Sequence, residues 1–256
     1  MLRFIRETYA IVAVELIKLI RDPTELVSRA IQPLLWLVVF GQVLAHVRGI
    51  HTGQVNYLAF ITPGILAQSI LFSAIFYGIA IIWERDLGVV HKMLVSPAWR
   101  ASLVFGKAFA AGFRGIIQMV VIYLVALVMH VSIRLDPLIL LAVLGSVMLG
   151  SGIFATFSLI IACIVKTRER FMGIGQLLTM PMFFASNAIY PIAMMPGWLR
   201  IAAQFNPLTY LIDALRGLVI TGGTSIYGFG VDFAVMFTIF AVLLFIAVKL
   251  YPTLAE

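Results

Sequence analysis

Five stretches of this chain run for 18 residues or more without a single Asp, Glu, Lys or Arg: Ala30–Val47, Tyr57–Trp83, Gly115–Ile133, Pro137–Val165 and Phe171–Leu199. About 20 mostly apolar residues suffice for a helix to cross the hydrocarbon layer of a bilayer. In hydrocarbon every backbone N–H and C=O must be satisfied within the protein, so runs of this kind become helices. A sixth run, Phe233–Val248, is short unless it reaches back past Asp232 towards Ile226. The chain is 62% hydrophobic and 11% charged, whereas a soluble domain carries about a quarter charged residues. The reading is an all-α membrane protein of six transmembrane helices, one domain over 1–256. Charges recur through Asp22, which does not fit a cleavable signal peptide.

The net charge of +7 is explained by orientation and not by nucleic acid. Short cytosolic loops are enriched in Lys and Arg. With the N-terminus inside, thirteen cations fall on the cytosolic side, from Arg3 to Lys249. Four fall outside: Arg48, Arg134, Arg200 and Arg216. The expected protein is multi-pass in the cell (inner) membrane, with both termini cytoplasmic and basic flanks against anionic lipid.

Three segments depart from plain spans. Over 1–23, Leu2, Ile5, Tyr9, Val12, Leu16 and Leu19 recur at helical spacing, with Arg3, Glu7, Lys18, Arg21 and Asp22 opposite. This predicts an amphipathic helix lying in the membrane interface, though a partner-binding helix has the same pattern. The loop over 84–100 mixes charges with Leu87, Val89, Val90, Met93, Leu94 and Val95 before Ser96-Pro97. That content suits a short helix docking into a groove of another protein, or one resting on headgroups. In and around 187–225, Pro181, Pro191, Pro196 and Pro207 interrupt a sequence that stays apolar. Two short re-entrant helices dipping into the outer leaflet are expected, with a simple extracellular loop as the alternative. Asn187, Tyr190, Asn206, Thr209, Tyr210 and Asp213 would satisfy the freed backbone.

Several chemistries lack residues to perform them. Gly106-Lys107 is followed by Ala108 and has no earlier glycine at phosphate-loop spacing, so the chain has no nucleotide-binding loop. His46, His51, His91 and His130 are scattered and form no metal or catalytic motif, so no catalytic residue and no metal site is assigned. All eleven acids map to loops, interfacial segments or termini, and Arg114 is the one charge well inside a span, near enough to its end to snorkel. An ion-coupled carrier, which keeps charge deep in the membrane, is therefore disfavoured. Cys163 and the glycines at 150, 152, 173 and 175 read as small residues at helix contacts.

Three stretches carry a resemblance. "RAIQPLLWLVVFGQVLA" (Arg29–Ala45), "WERDLGVVHKMLVSPAWRASLVFGKAFAA" and "NAIYPIAMMPGWLRIAAQFNPLTYLIDALRGLVITGG" resemble, in order, the first span, the cytosolic loop and the segment after the fifth span of the type 2 ABC transporter permeases. That family comprises drug, polysaccharide and lipo-oligosaccharide exporter subunits. The resemblance covers essentially the whole chain. It implies a permease homodimer bound to two copies of an ABC ATPase subunit, with ATP and Mg on that partner and no cofactor in this chain. The 84–100 loop would be the coupling helix, with Glu84, Arg85, Gly88, Lys92, Leu94 and Pro97 at or near the ATPase groove. Pro191, Pro196, Asn206, Pro207, Tyr210, Asp213 and Arg216 would form the re-entrant outer gate. An amphiphilic substrate would pass between the first and fifth spans. A secondary carrier and a non-transporting scaffold are the competing classes.

Overall fold

The computed structural model describes residues 2–45, 56–165 and 167–255. The loop holding His46, Arg48 and His51, and Lys166, lie outside the described residues. The described residues are mostly helical, joined by turns, and hold one isolated antiparallel bridge between Ile133 and Ile220.

The chain opens with α1 (Leu2–Arg21) and α2 (Pro23–Leu35), which runs through a π-helical turn (Trp36–Phe40) into α3 (Gly41–Ala45). It continues with α4 (Tyr57–Asp86), the short α5 (Val89–Val95), α6 (Arg100–Val128) and α7 (Pro137–Ile164). After α8 (Arg168–Phe184) come a 3-10 turn (Ile192–Met194), α9 (Gly197–Phe205), α10 (Pro207–Val219) and α11 (Phe229–Leu250). The caps follow from local chemistry. Asn56 and Asp136 each accept the N–H two residues on, starting α4 and α7, and Pro137 occupies the first turn of α7, where a missing N–H costs nothing.

Among the described residues, five helices are long and apolar enough to cross a membrane: Ser28–Ala45, Tyr57–Asp86, Arg100–Val128, Pro137–Ile164 and Phe229–Leu254. Six were expected; the run that yields no long helix is Phe171–Leu199. That run does not form one helix. With Pro181 inside its last turn, α8 stops at Phe184, and the chain turns before Pro191 and Pro196 start new short elements. Hydropathy cannot distinguish a straight uncharged run from a folded one. The last span does reach back past Asp232, which is fully buried.

α4 is the axis of the bundle. In the most apolar 18 residues of its span 78% are buried, against 22% for the first span and 17% for the last. Between apolar helices in a bilayer, packing and interhelical hydrogen bonds replace the hydrophobic effect as the source of association. A Cβ on Gly64 would stand 2.5 Å from the Ala188 carbonyl oxygen, so only glycine lets the turn after α8 lie on α4. Lower on α4, Ser158 of α7 donates to the Ile75 carbonyl at 2.5 Å and accepts from the Gly78 N–H at 3.0 Å. Ser69 donates to Gln118 of α6 at 2.8 Å. The glycines expected at helix contacts divide: Gly150, Gly152 and Gly175 face neighbours, while a Cβ on Gly173 would meet nothing within 4 Å.

Candidate functional site

The two groups of residues singled out in the sequence lie on different helices, α4–α5 with its flanks and α8–α10 with its turns. At the first, α4 ends at Asp86 and the chain reverses through Gly88, whose φ of +70° is a left-handed conformation that suits glycine. α5 follows. Val90 is buried, and Met93 and Leu94 are half-buried against the core. The other face is open: Leu87, His91, Lys92, Val95, Pro97, Trp99 and Arg100 are exposed, Val95 at 86%. Apolar side chains displayed beside two cations are the composition of a docking surface. Arg85 and Arg168 both pair with Asp86, at 2.9 and 2.8 Å, tying the end of α4 to the start of α8. These hydrogen bonds, Arg85 first, hold the Asp86 carboxyl below its usual range.

Helix α1 grips this hairpin. The Glu7 carboxylate accepts the Trp99 N–H at 2.9 Å and the Ser102 hydroxyl at 2.8 Å, capping α6 from another helix. The Trp99 N–H and then Ser102 lower the pKa of Glu7. Arg3 donates to the Pro97 carbonyl. Further along α1, Glu15 is 3% exposed within the inward stripe Val12, Glu15, Leu19. It faces Lys18 at 3.0 Å, Arg114 at 3.4 Å and Lys107 at 3.6 Å. Glu84, two residues before the end of α4, completes the cluster: Lys107 and Lys18 each reach it at 2.5 Å. The Tyr77 ring lies under Arg114 at 4.5 Å. Burial raises the Glu15 pKa, but Lys107, Lys18 and Arg114 outweigh it and hold the group down to about 2.

This cluster corrects the charge map read from sequence. Arg114 does not snorkel; it is buried and aimed at Glu15. Glu7 is not on a solvated face of α1, and Glu84 turns towards α1 and α6. Glu15 and Lys107 were missed as members of any site. Two signals were available: a carboxylate set between Val12 and Leu19 on the apolar stripe, and Lys107 and Arg114 seven residues apart on one face of α6.

In the second group, Pro191 precedes the 3-10 turn, Pro196 precedes α9, and Asn206-Pro207 joins α9 to α10. Asn206 is fully used. Its Nδ2 donates to the Met182 carbonyl at 2.6 Å, and its Oδ1 accepts the Leu208 N–H at 3.0 Å, capping α10. Tyr210 donates to the Gln204 carbonyl at 2.7 Å. Arg216 is buried, donates to the Asn187 carbonyl at 2.7 Å and stands 3.9 Å from the centre of the Phe60 ring on α4. Asp213 and Asp232, placed by the sequence in loops or interfaces, are both 0% exposed. Asp213 accepts the Ile226 and Tyr227 N–H groups at 2.8 and 3.0 Å, and Ser225 lies within hydrogen-bond reach of both acids. These carboxylates fix the turn between α10 and α11.

The match to a known family spans both groups. The sequence profile of the family "ABC-2 type transporter" matches residues 6–220. A putative transport permease, ycf38, of Cyanophora paradoxa is 32% identical over 217 residues, 84% of this chain and 74% of that protein. The daunorubicin resistance ABC transporter permease protein DrrB1 of Streptomyces coeruleorubidus is 22% identical over 237 residues, 90% of this chain and 80% of its own. Nodulation protein J of Rhizobium leguminosarum bv. trifolii is 26% identical over 197 residues, 76% and 74% of the two chains.

Proposed function

Since this chain belongs to the ABC-2 type transporter family, as a membrane subunit and not as an ATPase, we propose that it is the permease of an exporter driven by a separate ABC ATPase. In this reading two permeases and two ATPases assemble, ATP and Mg sit on the ATPases, and the cargo is an amphiphile. Both termini are cytoplasmic, α1 lies at the interface of the inner membrane, and α8 with the turn after it makes a sixth, broken crossing. The helices α9 and α10 dip back from the outer side as the gate.

The observation that carries the reading is the exposed face of α5, with Lys92, Val95 and Trp99 displayed on a hairpin that is itself immobilised. Force applied there cannot be absorbed locally. Glu7 and Arg3 fix the turn into α6, and the Glu15–Lys107–Glu84 cluster fixes the end of α4. Motion of α5 is therefore passed along α4, a helix of 30 residues, to its contacts with Ala188 and Arg216. ATP binding drives transport only if it favours one arrangement of this lever over the other. Glu84 then acts by holding the lever, while Arg85, Gly88, Lys92, Leu94 and Pro97 shape the surface that meets the partner.

The test is co-purification with the ATPase and hydrolysis by the reconstituted complex, for wild type, Val95→Asp, Leu94→Asp and Glu84→Ala. Val95→Asp is expected to abolish co-purification with the fold intact, since the residue touches little of its own chain. Glu84→Ala is expected to retain assembly and lose substrate-stimulated hydrolysis. Unchanged assembly in both aspartate variants would end the docking assignment.

A further inference from the structure

Helix α8 ends early and the chain folds back over it, while α11 packs on α7. The wedge left between α8 and α11 is an open cleft of about 480 Å³. Its walls include Phe154 and Phe157 of α7, Met182 of α8 and Leu243 of α11, and the Phe205–Asn206 elbow closes one end. We propose that this cleft is a binding site for one hydrocarbon chain of a bilayer phospholipid.

Its chemistry selects the occupant. Asn206 is the single lining residue with a polar side chain, and both ends of its amide are already engaged, with the Met182 carbonyl and the Leu208 N–H. A water inside a protein needs two to four polar partners, and one side-chain amide already bonded on both sides offers few. The cleft opens to the surface of the bundle, and left empty it would forfeit dispersion contacts along its apolar walls. Leu243 is the fifteenth of 22 residues in α11 and Phe157 the twenty-first of 28 in α7, so the cleft lies well inside two spans. What reaches it comes from the bilayer, and in a bilayer the abundant apolar group is an acyl chain. A headgroup partner is also close by: exposed Arg200, two residues before the lining Ala202, holds the Ala193 and Met195 carbonyls through Nη2. Its other guanidinium donors suit a phosphate.

The site lies beside the transport reading and does not depend on it. It is tested by replacing Phe157 with the photo-crosslinker p-benzoylphenylalanine, with the same replacement at lipid-exposed Val242 of α11 as control. The protein is extracted in detergent, washed to strip loosely held lipid, irradiated, and its adducts identified by mass spectrometry. Phospholipid adducts at 157 should survive the wash while those at 242 are lost. Ala202→Phe, which fills the cleft, should abolish the adduct at 157 with an unchanged gel-filtration profile, and Ala185→Leu serves if that variant fails to fold. Adducts at 157 that wash away together with those at 242 would overturn the proposal. So would adducts only to α8, a non-phospholipid amphiphile as the captured molecule, or undiminished capture in a folded, plugged variant.

Discussion

Removing Lys107 tests the buried ion cluster most directly. The side chain is 1% exposed and stands between two carboxylates, 2.5 Å from Glu84 and 3.6 Å from Glu15. Breaking a buried pair from one side costs about 3–5 kcal/mol, because the remaining charge stays desolvated and unpaired. Here the loss is smaller, since Lys18 still reaches both acids and Arg114 still faces Glu15. Lys107→Met, which keeps the volume, should therefore cost about 2–3 kcal/mol. For a chain of this size that is a fall in Tm of roughly 5–10 °C, read by fluorescence-detected gel filtration after heating. The second arm is Glu84→Gln combined with Lys107→Met. Neutralising both partners removes the unpaired charge, so the double variant should lose less than Lys107→Met alone. A wild-type Tm for the single variant, or losses that simply add, would refute the reasoning, since coupled neighbours must deviate from additivity.

Other outcomes follow from the same geometry. The Glu15 pKa is lowered in the fold from 4.5 to about 2, so its contribution to stability is present above pH ~4.5 and is lost as pH falls towards 2; in Glu15→Gln the fall in Tm relative to wild type should be full above pH ~4.5 and shrink over that window. Gly88→Ala places a side chain at φ +70° where nothing lies within 4 Å, so it should cost about 1–2 kcal/mol through backbone strain alone, with Gly88→Asn restoring much of the thermal stability. Asp213→Ala leaves the Ile226 and Tyr227 N–H groups without their acceptor, at about 1–3 kcal/mol each, and proteolysis should then cut between α10 and α11. Gly64→Leu collides with the Ala188 backbone and should sharply reduce the yield of folded protein, whereas Gly173→Leu, with open space around it, should not.

The sequence by itself determined the class of solvent and most of the spans. Tyr57–Trp83 and Pro137–Val165 are almost co-extensive with α4 and α7, because a long uncharged run in hydrocarbon can satisfy its backbone only as a helix. At Asn206-Pro207 and Asp136-Pro137 the side chain accepts the N–H two residues on and the proline needs none, so these helix starts are local chemistry. Tertiary structure decided what those local signals leave open. Whether Phe171–Leu199 runs straight or folds back depends on Gly64 admitting the Ala188 backbone against α4, a contact 124 residues apart in the chain. Whether Glu7 and Glu15 meet water or partners on α6 depends on which face α1 turns to it. A charge pattern along one helix fixes its own faces but not the partner they meet, and the energy of a buried charge is set by that partner.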